Sequence, residues 1–533
     1  MKIVHKCIVF SALVLLLSSA GFAAAISGTI KGPDGAPFEG AFIEAQNVNT
    51  RITVNVLSNH DGHYRVPDLA AGDYEVRIRA IGYKADPRTD VKLTAGQDAS
   101  IDFPLQAGRV RWSDLSYYQG IQLFPDTKGK ADFVGTCFGC HGFESRMAAV
   151  RRDQEGWMDR VNYMKEITHF ATAPGLTDEK ATEIAGYINS LFGDDSTLPK
   201  SPADLPQYKS LVRHFGDQAM NIVYVEYPMP GASRMPWDAN PGKDGMIWIG
   251  NYGPANSIDR LDPKTGVMTE FKAPETRPAF IHSAVEADDG TVWFSEQATN
   301  KIGKWDPKTQ EITEYQDKIV PGREGLRTGG SKHTVRVGAD LTVWASGTPF
   351  SSFDPKTKEF TDYPVVPNTY GIDIDKDQNI WFDGFTLDGK LFKVDAKTHK
   401  ITGYQPPTAG LPRRIQAAPD GMIWVAEHHG GKLARFDPKT ETFKEYTLPG
   451  PEATPYALGI DKDHYVWYSS EYMDVVGRLD PKTGQVIEYP FPQAENTLRE
   501  FLPDAQGRLW FGSPANNKVG YFYLTEGNEG ASN

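Results

Sequence analysis

The spacing of apolar residues changes character twice along the chain. Residues 26–105 fall into short runs of alternating apolar and polar positions, broken by turn-forming segments at 32–37, 61–62 and 71–73. Alternation turns one face of each run inward, and turns at this spacing predict a β-sandwich of about seven strands. Over residues 112–192 the apolar period lengthens to that of a helix, most clearly at 180–192, where the stripe stops before Gly193-Asp-Asp. Short strands then return. Within residues 208–526 seven tryptophans recur, Trp248, Trp293, Trp344, Trp381, Trp424, Trp467 and Trp510, most of them 37 to 45 residues apart. Such a period predicts a β-propeller with one tryptophan per blade. The turn Asp-Pro-Lys-Thr repeats in step with it (262–265, 306–309, 354–357, 437–440 and 480–483, with Asp-Ala-Lys-Thr at 395–398). After Trp510 one strand is missing, and the apolar run 222–227 supplies it, closing the ring without an open sheet edge.

The predicted organisation is multidomain and mainly β. Residues 1–25 form an export signal, 26–107 a β-sandwich, 108–195 a small α-helical domain, 196–207 a linker and 208–526 a seven-bladed β-propeller. The signal rests on Lys2 and Lys6, the apolar run 8–17 and three alanines ending at Ala25, a run too short to span a bilayer. No later stretch predicts a membrane span. Lys and Arg total 56 against 69 Asp and Glu, a balance that argues against nucleic acid and anionic membranes and favours a cationic, soluble partner.

The chain has three cysteines. Cys7 lies in the signal, and Cys137-Phe-Gly-Cys140-His141 holds the other two. CxxCH is the attachment pattern of a c-type haem, with thioether bonds at both cysteines and His141 placed to ligate iron. A zinc site would need a second ligand pair at close spacing, which the sequence lacks. The segment from CxxCH through Arg151-Arg-Asp-Gln-Glu-Gly-Trp157 to a closing helix with Gly-Tyr-Ile resembles small cytochrome c domains joined to periplasmic dehydrogenases. That resemblance implies one covalent haem c, a periplasmic location and a thioether opposite His141. Met164 is the expected ligand, with Met147, Met158 and His169 as alternatives.

Gly28-Thr-Ile, Asp61-Gly-His-Tyr64, Gly72-Asp-Tyr74 and Gly82-Tyr83 resemble the carboxypeptidase regulatory-like domain, which implies a structural role without catalytic residues. The propeller repeat, as in Gly290-Thr-Val-Trp-Phe-Ser-Glu296, resembles the streptogramin (virginiamycin B) lyase propeller over residues 222–524. In a blade the first strand lines the channel. Eleven residues before each tryptophan stand Trp237, His282, His333, Tyr370, Arg413, Tyr456 and Arg499, all aromatic, imidazole or guanidinium, which predicts a shared small-molecule pocket. Glu296 and Glu427-His428-His429 are expected on the same face. In the lyase family two histidines of adjacent blades, a glutamate and Mg²⁺ carry out an elimination. The resemblance therefore implies catalytic roles for His282 and His333 and a possible Mg²⁺, although the family's pair lies in the last two blades, where this chain has Tyr456 and Arg499. The leading expectation is a haem-linked oxidoreductase with a soluble periplasmic redox partner. The alternatives are a carbon–oxygen lyase, with His282 or His333 as base and Arg413 or Arg499 stabilising an oxyanion, and a non-catalytic haem-linked sensor.

Overall fold

The computed structural model describes residues 23–139, 141–168, 175–319, 330–365, 368–408 and 410–525. Most of the expected signal, Cys7, Cys140 and His169 lie outside the described residues.

The N-terminal unit begins at Ala24, two residues before the expected boundary, because Ala24–Lys31 already pairs with His63–Leu69. Ala99–Ser100 extends that sheet in parallel. A second sheet runs Thr53–Leu57, Phe42–Asn47, Gly72–Arg79 and Arg88–Leu93, and the two close on a core that includes Ile26, Ile43, Val66 and Val76. The result is sandwich-like.

Beyond residue 222 the described chain is propeller-like. Six four-stranded antiparallel sheets follow one another, each built from consecutive strands. Leu502–Pro503, Leu509–Ser513 and Lys518–Leu524 form a seventh with Ile222–Pro228 as its outer strand. The first strands of successive sheets pack side by side, and Asn240–Pro241 meets Leu502–Pro503 across the closure. The tryptophan-bearing strands are buried along their whole length, and the indole N–H of Trp381, Trp467 and Trp510 donates to Asp375, Asp461 and Asp504 at 2.8 Å. The repeated Asp-Pro-Lys-Thr is an Asx turn, in which the aspartate oxygen accepts the amide two residues on, as Asp262 does from Lys264 at 2.9 Å.

Ile222–Pro228 has a second partner that the sequence pattern did not predict. Its other edge pairs with Thr53–Leu57, with Tyr224 opposite Asn55 on one side and Phe522 on the other. Closing blade and N-terminal sheet are thus one eight-stranded sheet. Glu226, wholly buried, sits at the seam and accepts from Asn55 (3.0 Å), Gln493 (2.9 Å) and Lys518 (3.0 Å).

Tyr117–Leu123, Lys130–Cys137, Gln154–Ile167 and Asp178–Phe192 are the principal helices of the middle region and share an aromatic core with Phe133, Phe138, Phe143, Trp157 and Phe192. Residues 196–207, expected as a linker, pack on it. Leu198 and Leu205 cover the core, and the Trp112 indole donates to the Pro199 carbonyl at 2.9 Å. The helices sit on the propeller through Tyr118 N–H to Tyr472 O (2.9 Å), Ser145 N–H to Glu495 (3.1 Å) and the Tyr117 and Tyr472 rings, 5.7 Å apart. Among the described residues no helix is long and apolar enough to cross a membrane.

The seam gives a stability prediction. Removing the Glu226 carboxylate strands three donors, one of them charged, so Glu226→Ala should lower unfolding free energy by about 2–3 kcal/mol in urea titrations. A loss below about 0.5 kcal/mol, the usual effect at unremarkable surface positions, would show that the seam carries little.

Candidate functional site

The seven positions eleven residues before the tryptophans meet in one continuous ring at a mouth of the propeller. Ring centroids lie 5.5 Å apart for Trp237 and His282, 3.7 Å for His282 and His333, and 3.8 Å for His333 and Tyr370. The Tyr370 and Tyr456 hydroxyls touch. Arg413 stacks over Tyr370 (5.1 Å) and Tyr456 (4.9 Å), and Arg499 closes the circuit over Tyr456 (4.4 Å) and Trp237 (4.8 Å). All seven are buried.

A backbone device explains the convergence. In five blades the first strand slips register at this point, between Ile281 and Ala284, Lys332 and Val335, Thr369 and Ile372, Pro412 and Ile415, and Pro455 and Leu458. A bulge places one extra residue there and re-aims its side chain. Met235 (φ 53°), Phe280 (φ 54°) and Leu411 (φ 45°) also lie in the left-handed region, each two residues before a ring member. Such strain costs about 1–3 kcal/mol per residue and concentrates at functional sites.

In four blades the loop after the tryptophan reaches the mouth, at the expected His428 but not through the expected Glu296 and Glu427. Glu296 instead accepts from Thr299 (2.8 Å) and faces Glu314 and Lys301, while Glu427 faces Glu445 and Lys432. Burial pushes both carboxyls up to about 8. The position four after tryptophan holds Tyr252, Phe385, His428 and Glu471. Tyr252 stacks on Trp237 at 4.0 Å and Phe385 on Tyr370 at 4.6 Å. Glu471 accepts from Arg499 Nη1 at 2.8 Å and lies 3.3 Å from His428 Nε2. His429 is ring-to-ring with His428 at 5.0 Å. That offset was the available signal, although it gives Gln297, Thr348 and Pro514 in the other three blades. Arg414, the neighbour of Arg413 in the bulge, was also missed; its Nε donates to the Arg499 carbonyl (2.7 Å) and its Nη1 to Thr334 Oγ1 (3.0 Å).

Burial, with the neighbouring imidazole and the mouth guanidiniums adding, holds His282 well below the ordinary histidine range; burial and Arg414 do the same to His333. Both are neutral bases near pH 7. Neither nitrogen of His282 has a hydrogen-bond partner. Among the described residues no group of three or more His, Cys, Asp or Glu side chains is spaced to hold a metal ion.

The helical region contains a separate cavity of about 260 Å³, whose lining includes Cys137, His141, Met147, Trp157 and Met164. Met158 does not line it; it packs on the aromatic core. His141 Nδ1 donates to the Gly142 carbonyl at 2.8 Å, which leaves Nε2 as the lone-pair nitrogen. Gly142 has no room for a side chain, since a Cβ would lie 1.9 Å from the Tyr117 ring. Desolvation, reinforced by Arg146, lowers His141 to about 4. Arg146, Arg152 and Trp157 line the cavity; Arg152 Nη1 and Trp157 Nε1 are buried without hydrogen-bond partners, and Arg146 Nε is ion-paired with Glu495 at 3.9 Å. Thiol, imidazole, thioether, apolar wall and unsatisfied donors together suit a haem with its propionates.

Comparison with known proteins bears on the two β regions. The carboxypeptidase regulatory-like domain matches residues 25–106, and the virginiamycin B lyase family matches residues 354–528. The second match takes in Tyr370, Arg413, Tyr456 and Arg499 but not His282 or His333. A streptogramin B lyase structure is similar with a TM-score of 0.51 and 24% identity, covering 58% of this chain and all of that one. A catalytically inactive virginiamycin B lyase from Staphylococcus aureus with quinupristin gives a TM-score of 0.51 and 21% identity over 57% of this chain and 100% of its own. These likenesses establish the propeller-like fold. No curated protein matches the chain.

The depressed imidazoles give a pH prediction. Their folded values lie below the ordinary 6.5, so as pH falls past about 6.5 the unfolded chain takes up protons first and stability declines. A His282→Gln, His333→Gln double variant should show a shallower decline of the urea midpoint between about pH 7 and 5 than the native chain. Equal slopes would mean that these imidazoles are not buried and neutral.

Proposed function

We propose that this protein carries one covalent haem c in its helical domain and acts in the periplasm as an electron-transfer oxidoreductase, with the propeller mouth as the pocket for a small organic substrate. The observation that carries this reading is the single cavity lined by Cys137, His141 and Met164. Haem bound there would supply one-electron transfer chemistry. Cys137 and Cys140 would hold it by thioether bonds, His141 Nε2 and the Met164 sulfur would ligate the iron, and Arg146, Arg152 and Trp157 would take the propionates. The mouth residues have a different task. Trp237, Tyr370 and Tyr456 give flat apolar walls, Arg413 and Arg499 fix polar groups, and neutral His282 or His333 can accept a proton from bound substrate. Tyr117 and Tyr472 join the helical domain to the mouth. The acidic chain favours a soluble, cationic redox partner.

A second reading is a carbon–oxygen lyase. It is supported by the family match and by the His282–His333 pair, with Arg413 or Arg499 stabilising the oxyanion and Mg²⁺ as a possible helper.

Protein matured with the cytochrome c assembly machinery should keep its haem through denaturation and acid acetone, and Cys140→Ser should lose the stable link. Met164→Ala should abolish the far-red thioether-to-iron band while Met147→Ala keeps it. Complete extraction of colour from the native protein would refute covalent attachment, and the reverse Met pattern would move the ligand to Met147. Substrate addition should reduce the haem. A product forming equally fast with oxidised and reduced haem would favour the lyase.

A further inference from the structure

The mouth carries more positive charge than its own side chains neutralise. Arg413, Arg414 and Arg499 converge there, each stacked over the Tyr456 ring within 5.7 Å. One carboxylate, Glu471, bonds directly to this group, through Arg499. Asp383 also faces Arg413 and Arg414, but its oxygens accept the backbone N–H groups of Tyr370 and Gly371, and burial raises it well above the carboxylate range. Arg336 is a separate case, paired with Glu500 and Asp373. The imidazoles beside the arginines are neutral and offset none of the charge.

Hydrogen bonding shows the same imbalance. Arg413 Nε, Arg414 Nη2, Trp237 Nε1 and both nitrogens of His282 are buried with no partner. Burying a charge without a counter-ion, or a donor without an acceptor, is costly, and the cost falls when an anion fills the place. A guanidinium lying flat on an aromatic ring commits its face and leaves its N–H edge for a planar, bidentate acceptor. Next to Arg499, which lies over Trp237 at 4.8 Å, the stacked rings of Trp237 and Tyr252 form an aromatic wall for a carbon skeleton.

We infer that the propeller mouth is a carboxylate-binding site, with Arg413 and Arg414 holding the carboxylate and the Trp237–Tyr252 side packing the organic part of a small acid. This rests on the mouth being the substrate pocket proposed above and names its substrate class. It does not depend on the haem.

The test is calorimetric titration of the full, haem-loaded protein with benzoate, succinate, benzamide and inorganic phosphate. At least one of the two carboxylates should bind about tenfold or more tighter than benzamide, the amide that keeps the shape of benzoate without its charge. Arg413→Gln should weaken that binding about tenfold to a hundredfold, and Arg413→Lys, which keeps charge but not the fork, should restore part of it. An unchanged far-ultraviolet spectrum and haem band in each variant shows that the fold survives. If neither carboxylate binds, or Arg413→Gln binds as the native chain does, the site is not there. Phosphate binding as tightly as the carboxylates would overturn the organic part of the inference. Carboxylate binding with no covalent haem would leave this site standing and remove the haem reading; covalent haem with no carboxylate binding would do the reverse.

Discussion

One strand holds the molecule together. Ile222–Pro228 closes the propeller by pairing with Lys518–Leu524 and, on its other edge, pairs with Thr53–Leu57 of the N-terminal unit. An outer blade strand normally exposes a row of unpaired backbone groups, and here a second domain satisfies them. The sandwich is therefore an extension of the closing blade. Glu226 fixes the seam, because a buried carboxylate with three donors has one low-energy place to be.

That arrangement decides where the helical domain can lie. Its chain leaves the N-terminal unit at Gln106–Ala107, which pairs with Tyr83–Lys84, and re-enters the propeller at Ile222, so both of its ends are tied to elements that pack around the shared sheet. It settles over the side of the mouth where Tyr472, Glu495 and Arg499 are found. Tyr117 lies against Tyr472, and the Arg499 guanidinium is near enough to His141 to depress it further. The cavity of the helical domain and the mouth of the propeller thus share one electrostatic neighbourhood.

The sequence was legible where a period enforced it. Tryptophan spacing located every blade, and the offset of eleven found the ring, because the same turn geometry repeats and carries side chains with it. The residue four after tryptophan repeats with the same spacing but is aromatic, imidazole or carboxylate in only four of the seven blades, so Glu296 and Glu427 drew attention first as acids, and Glu471, Phe385 and Tyr252 were passed over. Arg414 was missed for a different reason. Strict strand alternation would send it away from the channel, and only the bulge brings two successive arginines to one place. The seam between Thr53–Leu57 and Ile222–Pro228 left no trace in either pattern, since a strand buried at both edges looks in sequence like one buried at one. Leu198 and Leu205 were hidden among the prolines and serines of an apparent linker.

The contact between the two proposed sites is tested most directly by the midpoint potential of the proposed haem, in native protein and in Arg499→Gln. Arg499 is a buried cation within electrostatic reach of His141, and its removal also leaves Glu471 without its main partner, so both changes favour the oxidised, more positive iron. The potential should fall in the variant while the ligation spectrum stays the same. An unchanged potential would contradict a shared electrostatic neighbourhood and leave the helical domain and the propeller mouth as independent devices on one chain.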